Sequence, residues 1–223
     1  MTSRLFPHTV IGMTAILLGF TTSVKAGPPL ICHPIDIGQA KTLPQVDWNR
    51  IGNGGYDLKN LTRETLAILD SSTPVLVRME TLRRATLYAR QDPQVAKELL
   101  TRLQARAADS DAAGHPEALA SFDFGYLVET YKEWMGQNQP NPARGVDGYG
   151  WVKKAISLRG SDPEMEFAAA LITLSGPEKD HREHLQKAMA GAKSDPLLAR
   201  NLDSTFNGQT MSALLTHSPA SGK

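Results

Sequence analysis

Residues 73–107 have the sequence TPVLVRMETLRRATLYARQDPQVAKELLTRLQARA. Apolar side chains recur three or four residues apart in two runs, one after Thr73-Pro74 and one after Asp92-Pro93. A capping residue followed by proline is typical of a helix start, so we expect two helices here. Because the turn between them is short, the helices must be antiparallel neighbours.

The chain on either side of this hairpin follows the same pattern. Asp162-Pro163 and Asp195-Pro196 repeat the start signal, and Gly176-Pro177 marks a further boundary. No stretch alternates apolar and polar residues with a period of two, as a half-buried strand would. The sequence therefore predicts an all-α protein with low strand content. The additional helices are expected over residues 61–70, 119–134, 148–158, 163–174, 178–189 and 197–202.

Composition restricts the class of protein. With 41% apolar and 21% charged residues, the 223-residue chain resembles an ordinary globular protein rather than a collagen, a disordered acidic tail or a multi-pass membrane protein. The 24 basic residues barely exceed the 23 acidic ones, so the net charge is only +1. A general nucleic-acid binder needs an excess of positive charge, and that class is therefore excluded.

The first 26 residues resemble an export signal. Arg4 supplies the positive start, residues 10–20 are apolar, and Val24-Lys25-Ala26 is an acceptable cleavage site. The apolar stretch is shorter than the roughly 20 residues that a spanning helix needs. A lipoprotein is not expected, because Ile31 precedes Cys32 where lipid attachment needs a small residue. We expect a soluble product in a periplasm or outside the cell.

The predicted organisation has four parts. A signal peptide over residues 1–26 is followed by an extended arm over 27–60 that is rich in proline and glycine, which disfavour helices and strands. The arm also carries apolar residues such as Ile31 and Trp48, so we expect it to lie along the folded body. A helical domain over 61–217 and a disordered tail over 218–223 complete the chain.

The spacing of the Asp-Pro pairs points to a repeat. Their gaps are 70 and 33 residues, close to two units and one unit of a period near 34. Residues 148–158, with Ala155 in a small-residue position, resemble the second helix of a tetratricopeptide unit, and Gly125-Tyr126 followed by Tyr131 is similar to the first helix. That resemblance implies helical hairpins stacked as a short solenoid. An irregular helical bundle is the alternative.

A second resemblance concerns the opening GPPLICHP of residues 27–34. It is similar to the start of a group of uncharacterised exported bacterial proteins. The resemblance implies export and a helical body, and it carries no activity.

Cys32, His33 and Asp36 form the most suggestive chemical cluster. A thiolate, an imidazole and a carboxylate within five residues could ligate a metal or provide a nucleophile. In the other interpretation Cys32 is structural. It is then either packed beneath Ile31 and Ile35 or an exposed anchor. An intermolecular disulfide with a second chain is included in this interpretation, since a single cysteine cannot form an internal one.

Glu178, His181 and His184 are spaced three residues apart on one predicted helix and so face the same way. A Glu-x-x-His pair is half of a di-iron carboxylate site, but the chain has no second such pair. The alternative interpretation is an ordinary solvated helix surface, and we expect neither a metal nor another cofactor.

An aromatic set provides the candidate binding groove, as in helical repeat proteins. We expect arginines at its rim to meet acidic groups of a ligand. Alternatively, the aromatics belong to the core and the arginines are solvated or paired with Glu80 and Asp70. The groove residues are Tyr126, Tyr131, Trp134, Tyr149 and Trp151, with Arg78, Arg83 and Arg84 at the rim.

Three hypotheses for the function follow. The first is a non-enzymatic exported helical-repeat protein that binds a protein or peptide. The second is a small metal-binding protein or hydrolase that uses Cys32, His33 and Asp36. The third is a structural component that dimerises through Cys32.

Cleavage of the export signal is directly testable. We expect the exported protein to begin at Gly27, because Val24-Lys25-Ala26 is the small-residue site at suitable spacing after the apolar stretch. The intact mass of the exported protein measures this. Retention of residues 1–26 would contradict the prediction of a soluble product.

Overall fold

The computed structural model describes residues 29–46, 55–114, 117–135 and 140–216, with side chains through Phe206. The predicted signal peptide, Trp48 of the predicted arm and the predicted tail over 218–223 lie outside these residues. In the part that is described, all regular structure is helical, and the prediction of an all-α chain is confirmed.

Nine α-helices and one short 3₁₀ helix follow one another along the described chain. The 3₁₀ helix spans Leu58–Asn60. The α-helices are α1 Pro29–Cys32, α2 Leu61–Ile68, α3 Val75–Ala89, α4 Pro93–Ala112, α5 Ala118–Trp134, α6 Gly148–Arg159, α7 Pro163–Ile172, α8 Glu178–Ala192 and α9 Pro196–Thr216.

Aspartates begin three of these helices as the sequence predicts. Asp92, Asp162 and Asp195 each accept hydrogen bonds from two backbone N–H groups of the first turn, with Oδ1···N distances of 2.8–3.4 Å. These bonds satisfy N–H groups that have no partner within the helix. Thr73 does not do the same for α3, because its hydroxyl donates instead to the carbonyl of Ile68.

Helix α5 lies at the centre of the packing. It contacts α3, α4 and α6, and its contact with α6 is the most extensive between any two described helices. Two glycines permit that contact: a Cβ on Gly125 would lie 2.6 Å from the carbonyl oxygen of Gly148, and a Cβ on Gly148 would lie equally close to that of Gly125. Helices α3 and α4 contact each other less than either contacts α5.

Helices α7 and α8 form the second closely packed pair. Gly191, near the end of α8, lies against Pro163 at the start of α7, where a Cβ would fall 2.2 Å from the proline ring. The two helices are therefore antiparallel, and Gly191 allows α8 to approach the start of α7 closely at this end. None of the described helices is long and apolar enough to cross a bilayer.

Helix α3 is buried on almost all sides although it carries several charges. Arg78 and Asp123 of α5 form an ion pair whose side chains are both 0% exposed, with 2.5 Å between Nη1 and Oδ2. Arg78 also donates from Nε to the carbonyl of Thr73 at 3.0 Å and from Nη2 to that of Asp70. Burial raises the pKa of Asp123 to about 6, against the opposing effect of Arg78, so the carboxyl is ionised at neutral pH.

Further along α3, three charged side chains hold the N-terminal segment, by which we mean residues 29–46. Glu80 accepts a hydrogen bond from the backbone N–H of Ile35 at 3.0 Å and pairs with both Arg83 and Arg84. The two arginines donate to carbonyl oxygens of the segment, that of Ile31 at 2.9 Å and that of Leu43 at 2.6 Å. The buried apolar side chains of this segment are Leu30, Ile31, Ile35, Leu43 and Val46.

The buried pair between α3 and α5 gives a stability prediction. We expect Asp123→Ala to lower the free energy of unfolding by about 3–5 kcal/mol, because Arg78 would remain buried without a counter-charge. Urea denaturation measures the change. Glu183→Ala is the matched control, since Glu183 pairs with Lys179 at the surface, and we expect it to cost less than about 1 kcal/mol. Equal losses in the two variants would contradict the prediction.

Candidate functional site

The structure does not bring together the side chains of Cys32, His33 and Asp36. Asp36 Oδ2 accepts a hydrogen bond from Arg200 of α9 at 2.8 Å, and His33 Nδ1 lies 3.3 Å from the carbonyl oxygen of Pro29. Cys32 is exposed, so the expectation that it packs beneath Ile31 and Ile35 is wrong. Ile31 and Ile35 are themselves buried in the core.

Near Cys32, the carboxyl of Glu133 has an unusual environment. Its Oε2 accepts a hydrogen bond from the backbone N–H of Leu30 at 2.9 Å, where the N-terminal segment meets α5. Burial raises the pKa of Glu133 to about 7, with a smaller contribution from the negative charge of Glu129, while the Leu30 N–H acts in the opposite direction. This carboxyl therefore titrates near neutral pH.

Glu178, His181 and His184 do not converge on a common point. Glu178 pairs with Arg182 at the surface, whereas His181 Nδ1 lies 2.9 Å from the carbonyl oxygen of Ala170 on α7. His181 and His184 are both buried, so the interpretation as a solvated helix surface is also wrong for them. Among the described residues, no three His, Cys, Asp or Glu side chains are grouped so as to hold a metal ion.

The arginines expected at a groove rim belong to the interior. Arg78 is fully buried against Asp123, and Arg83 is buried against Glu80. Arg84 is part of the same network around Glu80. The prediction that these arginines meet a ligand is therefore wrong, and the alternative of pairing within the protein is correct for Arg83 and Arg84.

The five aromatic residues of the predicted groove separate into two groups. Tyr126 and Tyr131 are completely buried in the core and cannot line an open surface, so the groove does not exist as predicted. Trp134, Tyr149 and Trp151 are half-buried. Trp134 has the guanidinium of Arg90 over its ring at 4.5 Å.

Trp151 lines a concave site that we call the α6 depression. This open cavity of about 350 Å³ lies between the end of α4 and the first turns of α6, and its lining residues are Asp111, Asp147, Gly150, Trp151 and Lys154. The ring of Phe124 packs edge-on against Trp151, with 5.2 Å between centroids. The indole is therefore held in place while part of its surface faces the cavity.

The charged groups of the α6 depression are arranged around this indole. Lys154 Nζ lies 4.7 Å from the centroid of the Trp151 ring and forms an ion pair with Asp111 Oδ2. The Oδ1 atom of Asp111 is shielded from solvent and has no hydrogen-bond partner among the described residues. The lining thus holds an aromatic face, two carboxylates and one ammonium group.

Local sequence explains how α6 presents this site. Asp147 begins the helix by accepting a hydrogen bond from Gly150 N–H at 2.8 Å, and a Cβ on Gly150 would lie only 2.4 Å from the other carboxylate oxygen. The close approach of Gly125 and Gly148 then fixes the first turn of α6 against α5. Asp147 could have been recognised as a helix cap, but Asp111 and Lys154 are 43 residues apart and give no local signal.

A second polar cluster, which we call the α6–α8 bridge, consists of Tyr149, His184 and Glu166. His184 Nδ1 lies 2.5 Å from Oε2 of the fully buried Glu166, and Tyr149 OH lies 2.7 Å from His184 Nε2. Lys187 Nζ is 3.3 Å from Glu166 Oε1, close enough for an ion pair but not aligned for a hydrogen bond. Burial, reinforced by nearby acidic groups, raises the pKa of Tyr149 to about 12.

The α6–α8 bridge joins three helices rather than presenting a reactive group. Both ring nitrogens of His184 have partners within the protein, so in this arrangement neither is available to take a proton from a substrate. Tyr149 stays protonated at neutral pH. The bridge has one local signal in the sequence: Glu166 adjoins the apolar stretch 167–172, where a buried charge needs a partner.

A larger open depression of about 630 Å³ lies along α4, and it includes Leu66 of α2 and Glu117. Two of its lining residues are arginines, Arg102 and Arg106, and Arg106 donates to the carbonyl of Leu69 at 2.6 Å. Among the residues that the structure describes, no aromatic side chain lines this depression. The α6 depression combines concavity with a held aromatic ring, and it is therefore the better candidate for a binding site.

Comparison of the chain with protein-family models, curated proteins and solved structures finds no match.

The environment of Glu133 predicts a pH dependence of stability. The folded protein keeps the proton up to about pH 7, whereas the unfolded chain releases it near the ordinary value of 4.5. Between these values the folded state binds more protons, so raising the pH lowers the free energy of unfolding. Glu133→Gln cannot ionise at this position, and it keeps an oxygen that can accept from the Leu30 N–H. We therefore expect the free energy of unfolding of the variant, relative to that of the natural protein, to rise from about pH 4.5 to about pH 7.

Urea denaturation of both proteins at several pH values measures the effect. The control is Glu98→Gln, which neutralises an exposed carboxylate on α4, and we expect its stability to follow that of the natural protein. Parallel pH profiles for Glu133→Gln and the natural protein would contradict the assignment.

Proposed function

We propose that this chain is a non-enzymatic binding module that takes a segment of another polypeptide into the α6 depression. The observation that carries the proposal is Trp151, a half-exposed indole held rigidly in a concave site by Phe124. Tryptophan is enriched among the residues that dominate binding energy at protein interfaces. Because its ring is already fixed, little side-chain freedom remains to be lost on binding.

The size and polarity of the α6 depression fit a polypeptide. Its volume of about 350 Å³ is near the lower end of the roughly 300–1,000 Å³ usual for ligand sites, which suits one or two side chains. The charges of Asp111, Asp147 and Lys154 surround the aromatic face and provide the polar rim that protein interfaces have.

The surrounding packing supports the same role. Helix α6 is held against α5 at Gly125 and Gly148 and against α8 through Tyr149 and His184. A rigid helix face positions binding groups better than a mobile loop does. The engagement of both His184 nitrogens within the protein also favours a binding role over catalysis at this end of the molecule.

We further propose that the helices are stacked as hairpins in the manner of a short tetratricopeptide-like solenoid. The extensive α5–α6 and α7–α8 contacts, the glycine contact between α5 and α6, and the burial of Ala155 support this arrangement. The spacing of the Asp-Pro pairs supports it too. Export to a periplasm or to the exterior is part of the proposal, on the strength of Arg4 and the apolar stretch 10–20.

The exposure of Cys32 favours one further association. An intermolecular disulfide needs an accessible thiol, and Cys32 provides one in a compartment where thiols oxidise. A dimer linked through Cys32 is therefore retained as the second candidate, and comparison of reducing and non-reducing gels tests it. No comparable observation favours catalysis by Cys32, His33 and Asp36.

The binding proposal is tested by panning a displayed library of random peptides against the purified chain. We expect enriched peptides to bind in solution and to shift the backbone amide resonances of residues 147–154. Trp151→Leu should weaken their binding about tenfold or more, because truncating an aromatic anchor commonly costs upwards of about 1–2 kcal/mol.

The matched control is Trp134→Leu, since Trp134 is also half-buried and also carries a cation over its ring. Circular dichroism checks that both variants keep their helix content, and resonance mapping on the natural chain is independent of the variants. Failure to enrich any peptide, or binding that maps away from residues 147–154, would overturn the proposal.

A further inference from the structure

We infer that the α6 depression recognises an arginine side chain of the bound polypeptide, which displaces Lys154 from the indole of Trp151. This inference rests on the proposed function and specifies its ligand. It comes from the position of Lys154, from the unused oxygen of Asp111 and from the charge of the lining.

Lys154 shows where a cation is stable in this site. Its ammonium group stands 4.7 Å from the Trp151 ring centroid while pairing with Asp111 Oδ2. A cation over an aromatic face is attracted by the electron-rich ring, and tryptophan is the strongest partner for this interaction. The cavity therefore already contains an internal occupant of the chemical type that we expect it to bind.

Lys154 engages one of the two carboxylate oxygens of Asp111. Its Oδ1 atom is shielded from solvent and has no hydrogen-bond partner among the described residues, although Oδ2 is engaged by Lys154. A buried acceptor without a partner is unfavourable. A ligand that donates to both oxygens would remove this penalty, and a single ammonium group is poorly shaped to do so.

A guanidinium group has the required shape. It is planar, it carries donors in a fork that matches both oxygens of a carboxylate, and it stacks on aromatic rings. One arginine can thus pair with Asp111 and cover Trp151 at the same time. Lysine would only repeat the contacts that Lys154 already makes.

The charge of the lining and the mobility of Lys154 allow the arginine of a ligand to replace the Lys154 ammonium group over Trp151. The described lining residues carry two carboxylates, Asp111 and Asp147, and one ammonium group, that of Lys154, so their net charge is negative. The side chain of Lys154 is 36% exposed, and its long flexible stem can move the ammonium into solvent when a ligand enters.

The neighbouring Lys153 provides an internal comparison. Its Nζ lies 4.5 Å from the ring centroid of Tyr149, so it makes a similar contact with an aromatic face. In the described part of the chain no carboxylate is paired with Lys153, and it does not line the α6 depression. Substitution of Lys153 therefore changes the charge of α6 equally without altering the proposed site.

The experiment titrates the purified chain with N-acetyl-arginine amide and follows the indole N–H resonance of Trp151 by NMR. We expect saturable binding in the millimolar range, as suits a ligand of this size. N-acetyl-citrulline amide has nearly the same shape without the charge, and it should not bind. N-acetyl-lysine amide should bind more weakly than the arginine compound, because it cannot pair with both oxygens of Asp111.

Four variants separate the inference from a general charge effect. Lys154→Gln removes the internal competitor, and we expect it to tighten binding of the arginine compound about threefold, the scale of an exposed cation–π contact. Asp111→Asn should abolish measurable binding. Lys153→Gln and Asp109→Asn, which make the same charge changes on the same two helices outside the α6 depression, should leave it nearly unchanged.

The outcomes distinguish this inference from the proposed function. Panned peptides that need Trp151 but lack arginine, or that lose affinity in Lys154→Gln, would overturn the inference and leave the binding module intact. Binding of the arginine compound without any enriched peptide would support the cation site and overturn the polypeptide ligand. Equal binding of the arginine and citrulline compounds, or equal effects of Lys154→Gln and Lys153→Gln, would also overturn the inference.

Discussion

Helix α3 brings charged side chains into the interior of the protein, and each of them needs a partner there. Arg78 pairs with Asp123 on α5. Glu80 and Arg83 pair with each other, and both form hydrogen bonds with the backbone of the N-terminal segment. An isolated charge in the interior costs far more than one hydrogen bond returns. The position of α5 on one side of α3, and of residues 29–46 on another, is thus constrained by the same requirement.

The sequence predicted the features that depend on local chemistry. Asp92, Asp162 and Asp195 bind N–H groups two and three residues away, so these helix starts could be read without knowledge of the fold. The all-helical class followed from the spacing of apolar residues. The predictions that were wrong concern contacts between distant parts of the chain. Nothing in the sequence near Arg78 indicates that this arginine is buried and paired with Asp123, 45 residues later.

The prediction of the binding groove was wrong in part because it too depends on contacts between distant parts of the chain. Helical spacing does not distinguish a core aromatic residue from a surface one, so the sequence pattern groups Tyr126 and Tyr131 with Trp151 although the two tyrosines lie in the core. The position of Trp151 depends on where α6 crosses α5, and that crossing is fixed by the absence of side chains on Gly125 and Gly148. Asp111 comes from another helix, so its place beside Lys154 is a result of tertiary packing.

The junction of Asp36 with α9 has a consequence for the order in which the molecule folds. Its backbone exchanges hydrogen bonds with the side chain of Asn201, 165 residues later, while its carboxylate accepts from Arg200. Contacts between such distant positions form late, because closing a long loop costs entropy before any contact is gained. During synthesis the N-terminal segment is made first, yet these bonds must wait until the last helix has left the ribosome. The fold is thus completed by contacts between positions 165 residues apart, one in the N-terminal segment and one on helix α9.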